Sequence, residues 1–301
     1  MIAAPDVRQY AQRNRGTIFS EDATVISVEP FADQQFVMRL QAPKCARAAT
    51  AGSFAHIQCS IDIPMRRPLS IMRANADAGW IEILFKVVGG GLAALAGQRV
   101  GTKLAVLGPI GQGFEAHAER PNTILIGGGV GIPPMVFLAE QLLADGGNWT
   151  PTVFMGSEIP FPFAEQRSTL ECAWLGTETN RCMPLLESWG VVSRLASLAG
   201  YAGCHQGFVT DLARTYLATA SPEQLQQTEI FSCGPTPMLR AVAELAAEFA
   251  LPCQVSLEEF MACAVGGCAG CAVEVQTPAG PAMKRVCVDG PVFTTDEVFP
   301  Q

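Results

Sequence analysis

Three cysteines within nine residues, followed by a fourth, constrain this chain more than any other feature of its sequence. The run reads Met261-Ala-Cys263-Ala-Val-Gly-Gly-Cys268-Ala-Gly-Cys271, and Cys287 lies downstream. The spacing C-x4-C-x2-C with a distant fourth cysteine is the plant-type pattern of [2Fe–2S] ligands. Glycine and alanine between the thiols permit a tight loop that directs main-chain N–H groups at sulfur. The sequence therefore predicts a loop that wraps a [2Fe–2S] cluster.

Two other uses of the cysteines remain open at this stage. A structural zinc site usually pairs one C-x2-C with a second, and this run contains a single such pair. Disulfides are disfavoured because the eleven cysteines are an odd number and the first residues carry no secretory signal. A reducing compartment favours ligation over oxidation. The cysteines outside the ligand spacing are interpreted as packing residues: Cys45, Cys59, Cys172, Cys182, Cys204 and Cys253.

Composition excludes several classes of function. The 301 residues carry a net charge of −8, so a nucleic-acid partner is not expected. About half of the chain is hydrophobic, which allows sizeable cores. The most apolar window, 123–139, is interrupted by Gly127-Gly-Gly129 and by Pro133-Pro134, and makes a poor transmembrane helix. We therefore expect a protein of the cytoplasm that does not enter the membrane.

The pattern of apolar residues changes along the chain and indicates three units. Alternating or continuous apolar segments at 24–28, 35–40 and 80–88 predict an antiparallel β-barrel. Beyond Pro121, short apolar strands alternate with helical segments, which predicts a parallel α/β sheet. The predicted boundaries are 1–18 for an N-terminal extension, 19–117 for the barrel, 118–250 for the α/β domain and 251–301 for a small cysteine module.

Two turns of the α/β domain have the composition of a nucleotide site. Gly127-Gly-Gly-Val-Gly131 joins a strand to a helix, where main chain and helix dipole can receive a pyrophosphate. The strict G-x-G-x-x-G fingerprint is not met because Pro134 stands at its last position, so a purely structural glycine turn stays open. Cys233-Gly-Pro-Thr-Pro-Met238 follows a later strand, at the sheet edge where ligands of such folds bind. Cys233 could also be an ordinary buried turn residue.

Two barrel segments could hold a phosphorylated cofactor. Arg66-Arg67-Pro-Leu-Ser70 places a planar cation and a hydroxyl three residues apart on an extended segment. Gly89-Gly-Gly91 follows a strand and allows close approach of the main chain to phosphate. The alternative is a solvated arginine pair at the start of a strand.

These motifs, taken in order, resemble the ferredoxin–NADP reductase superfamily, and within it the electron-transfer subunits of class 1B dihydroorotate dehydrogenases. The resemblance runs from Thr24 onward. It rests on Arg67-Pro68-Leu69-Ser70, Gly108-Pro-Ile-Gly-Gln-Gly-Phe114, Gly127–Gly131, Cys233–Met238, Glu258-Glu259-Phe-Met-Ala-Cys263 and Cys287-Val-Asp-Gly-Pro-Val-Phe293.

The resemblance implies an electron relay of NAD(H), FAD and a [2Fe–2S] cluster. Its partner would be an FMN-containing dihydroorotate dehydrogenase catalytic subunit of pyrimidine biosynthesis, with two copies of each subunit. Catalysis would rest on the cofactors, with Cys233 near the nicotinamide as the one candidate side chain. The FAD residues would be Arg67, Pro68, Leu69, Ser70, Leu84, Phe85, Lys86, Gly90, Gly91 and Leu92. The nucleotide residues would be Gly127, Gly128, Gly129, Gly131, Cys233, Gly234 and Pro235, and the cluster ligands Cys263, Cys268, Cys271 and Cys287.

Three positions depart from the family pattern. Leu92 replaces a threonine near the FAD phosphates, Ala264 replaces the glycine after the first cluster cysteine, and the segment before Gly207 lacks an acidic Asp-Gly run.

Two alternative functions remain open. The same relay could serve a hydrogenase, a sulfite reductase or a ferredoxin-dependent transhydrogenase, or the chain could be a non-catalytic scaffold with a zinc-bound C-terminal knot.

Overall fold

A computed structural model of the chain describes residues 16–300. The predicted N-terminal extension, 1–18, lies outside this range except for its last three residues, 16–18. No helix in the described part of the chain combines the length and the apolar composition needed to cross a bilayer.

Within this range the first six strands close into a barrel, in the order β1-β2-β5-β4-β3-β6, with antiparallel pairing throughout. Side chains that alternate along β1 and β2, such as Val25 and Leu40, fill the interior because successive residues of a strand face opposite sides. The elements are β1 (Phe19–Phe31), β2 (Gln35–Gln41), α1 (Pro43–Ala48), β3 (Phe54–Ile57), β4 (Arg67–Asn75), β5 (Trp80–Lys86), α2 (Gly90–Ala96) and β6 (Lys103–Ile110).

The second unit is built on parallel strands that alternate with helices. Its first strand, β7, is a short apolar run buried on both faces, as expected of a parallel sheet covered by helices. The elements are β7 (Asn122–Gly128), α3 (Ile132–Ala144), β8 (Thr150–Gly156), β9 (Gln166–Arg167), β10 (Arg181–Cys182), α4 (Pro184–Ser188), β11 (Val192–Ser197), β12 (His205–Gln206), α5 (Val209–Leu217), α6 (Pro222–Gln226), β13 (Thr228–Cys233) and α7 (Thr236–Glu248).

The C-terminal segment leaves this sheet and returns to it. β14 (Cys253–Ser256) pairs in parallel with β13, and β17 (Val292–Thr294) pairs antiparallel with β14. The described part of the sheet therefore has the order β12-β11-β8-β7-β13-β14-β17. Between these two strands lie the cysteine loop and a hairpin of β15 (Ala272–Thr277) and β16 (Gly280–Arg285); α8 (Thr295–Val298) follows β17. The predicted cysteine module, 251–301, thus shares two strands with the α/β sheet.

The barrel and the α/β unit share one hydrophobic core. Side chains of α3 pack with residues of the barrel in a single buried cluster. Two polar contacts fix the same interface: Arg73 Nη2 lies 2.5 Å from Glu140 Oε1, and Gln141 Oε1 accepts a hydrogen bond from Ala51 N at 2.9 Å. The relative position of the two predicted cofactor domains is therefore set by packing and by paired polar groups.

Two local expectations are wrong in detail. The segment Gly207-Phe-Val-Thr-Asp211 predicts a helix that starts at Leu212 with Thr210 or Asp211 as its cap. In the structure the helix starts at Val209, and Phe208 is the N-cap residue. Asp211 stands at the third helical position and accepts a hydrogen bond from Phe208 N at 3.3 Å, which is how a first-turn carboxylate satisfies a free N–H group. The expected break at Gly108 begins three residues later, because β6 continues to Ile110.

Candidate functional site

The arginine of the barrel motif lies against the glycine turn that follows β5. Arg67 Nη1 donates to the carbonyl oxygens of Met65 at 2.8 Å and Arg66 at 3.2 Å, which fixes the side chain. A Cβ added to Gly91 would lie 2.8 Å from Arg67 Nη2, closer than real contacts allow. The two segments predicted to face the FAD diphosphate therefore meet, and the planar guanidinium of Arg67 lies over the start of α2.

The other predicted FAD residues divide between surface and core. Ser70 and Lys86 are half-buried, whereas Phe85 is buried and stacks on Phe36 with ring centroids 5.6 Å apart. Leu92, the departure from the family pattern, packs half-buried against the barrel core. Leu84 and Phe85 therefore shape the barrel wall beneath a cofactor.

Buried polar atoms without partners lie beside Arg67. Among residues 16–300, neither ring nitrogen of His56 has a hydrogen-bond partner, and the same holds for Arg66 Nε. Buried polar groups are almost always hydrogen-bonded, because an orphan costs about 1–3 kcal/mol. Unsatisfied donors next to a fixed guanidinium suit a polar, anionic ligand, so the residues present fit FAD.

The two turns of the α/β domain meet at one edge of the sheet. β7 and β13 are neighbours, and Cys233 lies opposite Gly127 in the parallel register. A Cβ on Gly131 would overlap the carbonyl group of Cys233 and would lie 2.5 Å from Gly234 N. Because this is the carboxyl edge of a parallel sheet, the turns form the crevice where such folds bind nucleotides.

Cys233 is held in its protonated form at this edge. The side chain is buried, which raises the pKa of the thiol, and the negative charge of Glu258 acts in the same direction. Glu258 is in contact with solvent, and desolvation by the surrounding protein raises the pKa of its carboxyl group. The predicted candidate Cys233 is therefore a neutral thiol beside an acid, and not an activated nucleophile.

The four cysteines of the ligand pattern come together as two pairs. Cys268 N donates to Cys263 Sγ at 3.4 Å, and Cys287 N donates to Cys271 Sγ at the same distance. Burial raises the pKa of Cys287 to about 12, and the adjacent Cys271 thiol adds to the effect. For Cys263, burial is outweighed by main-chain N–H groups and by the Cys268 thiol, which bring its pKa to about 7.

The four thiols lie near one another: the Cys268 thiol acts on Cys263, and the thiols of Cys271 and Cys263 both act on Cys287. A structural zinc needs about four ligands around one centre. A [2Fe–2S] cluster takes four thiolates, two on each iron. The arrangement 263/268 and 271/287 fits the cluster.

The ligand loop has a strained, tightly held main chain. Ala264 and Ala269, each directly after a ligand cysteine, have φ values of 56° and 55°. This left-handed conformation is uncommon for alanine and ordinary for glycine. Arg285 Nη1 donates to the carbonyl oxygen of Gly266 at 2.9 Å, and the Arg285 side chain pairs with Asp289 at 3.2 Å.

The loop and its hairpin pack on the outer face of the barrel. Phe54 of β3 and Ile110 of β6 share a buried cluster with Cys271, Cys287 and other residues of the cysteine module. Gln112 N donates to the carbonyl oxygen of Gly290 at 2.6 Å, which ties the chain after β6 to the same module. The cluster site therefore adjoins the face of the barrel that carries the Arg67 motif.

Two residues of this region were not predicted as site residues. Glu258 lies in the Glu258–Cys263 motif that carries part of the family resemblance, and this motif could have indicated Glu258 as a site residue. His56 is the one polar residue in Phe54-Ala-His-Ile57, and a histidine in an apolar strand is itself a signal.

Comparison with known proteins identifies relatives over nearly the whole chain. A family model described as the iron–sulfur cluster binding domain of dihydroorotate dehydrogenase B matches residues 258–299. The electron transfer subunit of dihydroorotate dehydrogenase B (NAD(+)) from Shouchella clausii is 31% identical over 279 residues, which cover 91% of this chain and 96% of that protein. The corresponding subunit from Bacillus velezensis is 32% identical and covers 91% of this chain and 97% of its own.

Solved structures show the same architecture. A chain of the NADH-dependent reduced ferredoxin–NADP oxidoreductase is 25% identical, with a TM-score of 0.71 over 92% of this chain and 89% of that chain. Phthalate dioxygenase reductase, described as a modular structure for electron transfer from pyridine nucleotides to [2Fe–2S], is 16% identical, with a TM-score of 0.57 over 89% of this chain and 94% of that chain. The predicted fold class is confirmed: an antiparallel barrel, an α/β domain built on parallel strands and a C-terminal iron–sulfur module.

Proposed function

The chain belongs to the family of dihydroorotate dehydrogenase B electron transfer subunits, and on this premise we propose that it carries electrons between NADH and the FMN of a separate dihydroorotate dehydrogenase catalytic subunit. It is an NAD(P)H-dependent flavin and iron–sulfur oxidoreductase subunit whose cofactors are FAD, NAD(H) and a [2Fe–2S] cluster. The single observation that carries the proposal is the packing of Cys271 and Cys287 of the cysteine module against Phe54 and Ile110 of the barrel that carries the Arg67 motif.

The chain contributes position and charge to this reaction. The Arg67 guanidinium, fixed over Gly91, would hold the FAD diphosphate. The Gly127–Gly131 turn and the Cys233–Pro235 turn would hold the nucleotide at the sheet edge, and the four cysteines would ligate the cluster. The chemistry that FAD supplies when bound is the conversion of a two-electron hydride transfer into one-electron transfers.

The side chains of Cys233 and Glu258 at the nucleotide edge do not supply a nucleophile or an acid–base group. Cys233 lies buried as a neutral thiol, so it limits space and solvent and does not act as a nucleophile. Electron transfer of this kind requires no general acid or base from the protein, so Glu258 contributes charge and shape.

The exposed side of the ligand loop supports the proposal of a docked catalytic subunit. Phe260 is 94% exposed and Val265 is 48% exposed, and both flank the first cluster ligand. Large apolar side chains held in water next to a redox centre are typical of an interaction surface. We propose that the FMN subunit covers this side of the loop, with two copies of each subunit in the complex.

Spectroscopy and copurification test the proposal. We expect the purified chain to show flavin bands and broad cluster absorbance, and anaerobic NADH to bleach both. NADPH in a parallel titration measures the nucleotide preference. The partner is tested by coexpression with a dihydroorotate-oxidising subunit and measurement of NAD⁺-dependent orotate formation. A colourless protein that contains zinc and is not reduced by NADH contradicts the proposal.

A different partner is the second candidate, and one observation favours it. The solved structure with a TM-score of 0.71 belongs to an NADH-dependent reduced ferredoxin–NADP oxidoreductase. If the coloured chain binds no dihydroorotate-oxidising subunit but reduces ferredoxin with NADH, the same relay serves that partner instead.

A further inference from the structure

The short strand β3 turns two of its four residues towards the cysteine module. Ala55 and Ile57 lie in the barrel core, so Phe54 and His56 face the outer side. Phe54 packs there with Cys271 and Cys287. His56 is 1% exposed on the same face, where β3 meets β4 with His56 opposite Pro68.

The surroundings of His56 join the two cofactor sites. The arginines of the FAD motif, Arg66 and Arg67, are near enough for their positive charges to act on the ring. The main chain of Arg66 and that of Met261, two residues before the first cluster ligand, also lie near the ring. His56 is therefore close both to the predicted FAD site and to the cysteine loop.

The ring is neutral at this position. Burial lowers the pKa of His56 to about 4, the charge of Arg66 lowers it further, and the nearby main chain of Arg66 and Met261 acts in the opposite direction. A neutral imidazole offers one N–H donor and one acceptor nitrogen. Both nitrogens are buried and lack a hydrogen-bond partner within residues 16–300. The described protein therefore does not offset the free-energy cost of burying them.

We propose that His56 is a positioning residue that hydrogen-bonds bound FAD through one ring nitrogen and holds the main chain of the cysteine loop at Met261 through the other. This inference rests on the proposed function, since it takes the Arg67 motif as the FAD site. Arg66 Nε is also buried without a hydrogen-bond partner, and we expect it to donate a hydrogen bond to FAD as well. One side chain would then fix the flavin and the cluster loop relative to each other.

The test compares three variants by FAD affinity and by the cluster spectrum. H56L removes both nitrogens and keeps an apolar volume, whereas H56Q restores a donor and an acceptor. F54L alters packing on the same face without changing any polar atom. The dissociation constant for FAD is measured by flavin fluorescence on cluster-loaded, deflavinated protein. Visible circular dichroism records the change in the cluster on addition of FAD.

We expect H56L to weaken FAD binding at least tenfold and to abolish the change in the cluster spectrum, with H56Q within about threefold of the unaltered protein. F54L should keep FAD affinity within about twofold. FAD affinity unchanged in H56L, or equal losses in H56L and F54L, would overturn the inference.

Two further outcomes keep the test decisive. If H56L does not unfold cooperatively, the result for H56Q decides. A loss of FAD affinity within threefold in H56Q supports the positioning role of His56, and a loss above tenfold overturns it. Failure of the proposed function is recognised separately, because the unaltered chain would then bind no FAD or carry no cluster absorbance. H117Q, which removes a half-exposed imidazole from the segment between β6 and β7, controls for a general effect of losing histidine.

Discussion

The guanidinium of Arg67 lies over the α-carbon of Gly91, so close that a Cβ at Gly91 would be 2.8 Å from Nη2 and 2.9 Å from Nε. The two residues are 24 positions apart and belong to β4 and to the start of α2. Because Gly91 has no side chain, the positively charged guanidinium of Arg67 can lie at this place.

Gly91→Ala is expected to displace this guanidinium and to weaken FAD binding by about tenfold, the scale of one lost charge-assisted contact. Gly97→Ala, at the other end of α2, is the matched control, because a Cβ there meets only ordinary contacts, the nearest with Ala93 O at 3.6 Å. Flavin fluorescence titration of both variants measures the effect. Equal affinities for the two would show that Arg67 does not need its observed position.

Gly131→Ala is expected to separate the two nucleotide turns, because its Cβ would overlap the main chain of Cys233 and not a flexible side chain. We expect a loss of about 1–3 kcal/mol of unfolding free energy and loss of flavin reduction by NADH. Gly176→Ala, with no neighbour within 4 Å, is the control in denaturant unfolding. Normal reduction kinetics in Gly131→Ala would contradict this assignment.

Ala264→Gly is expected to relax the ligand loop, since left-handed backbone costs a non-glycine residue about 1–2 kcal/mol. Glycine returns part of this as conformational entropy in the unfolded chain, so a net gain of about 0.5–1 kcal/mol is expected. Loss of cluster absorbance in the presence of a chelator should be slower. Ala269→Gly relaxes an exposed position with nearly the same φ, and a larger benefit there would rule out Ala264 as the principal strained position.

Serine at any one of the four cysteines 263, 268, 271 and 287 is expected to abolish normal [2Fe–2S] absorbance, because one iron then lacks one of its two thiolates. Iron content and visible spectra measure this loss. Cys204→Ser, outside the ligand spacing, should keep full absorbance. A ligand variant with an unaltered spectrum would remove that cysteine from the site.

A pH-dependent contribution to stability is expected from His117. Its Nδ1 lies 2.8 Å from Glu229 Oε2, and this hydrogen bond raises the pKa of His117 in the folded protein. A raised folded pKa means that the stabilisation is present below the unfolded value, about 6.5, and is lost as pH rises through the folded value. Because the His117 side chain is 49% exposed, the contribution should stay below about 1 kcal/mol.

Thermal unfolding between pH 6 and pH 8 measures this contribution, and His117→Gln should flatten the slope. Glu229→Gln removes the partner and should flatten it as well. A slope that survives both substitutions would originate elsewhere.

Apolar periodicity was enough to predict three of the six barrel strands and the α/β order, and cysteine spacing was enough to predict the ligand loop, because alternation and spacing are local properties of the sequence. The meeting of Arg67 with Gly91, and of Gly131 with Cys233, depends on which strands become neighbours, and no local pattern encodes that. The return of β17 to the large sheet escaped prediction for the same reason. Ala264 was singled out as a departure from glycine, and its left-handed φ gives that departure a physical cost.

The interleaving of the cysteine module with the sheet has a consequence for biosynthesis. β13 exposes an unpaired edge until β14 has left the ribosome, and β14 exposes one until β17 follows, with the ligand loop between these two strands. The nascent chain therefore completes its nucleotide-binding sheet only after all four ligand cysteines have been translated. Completion of the ligand set precedes closure of the sheet.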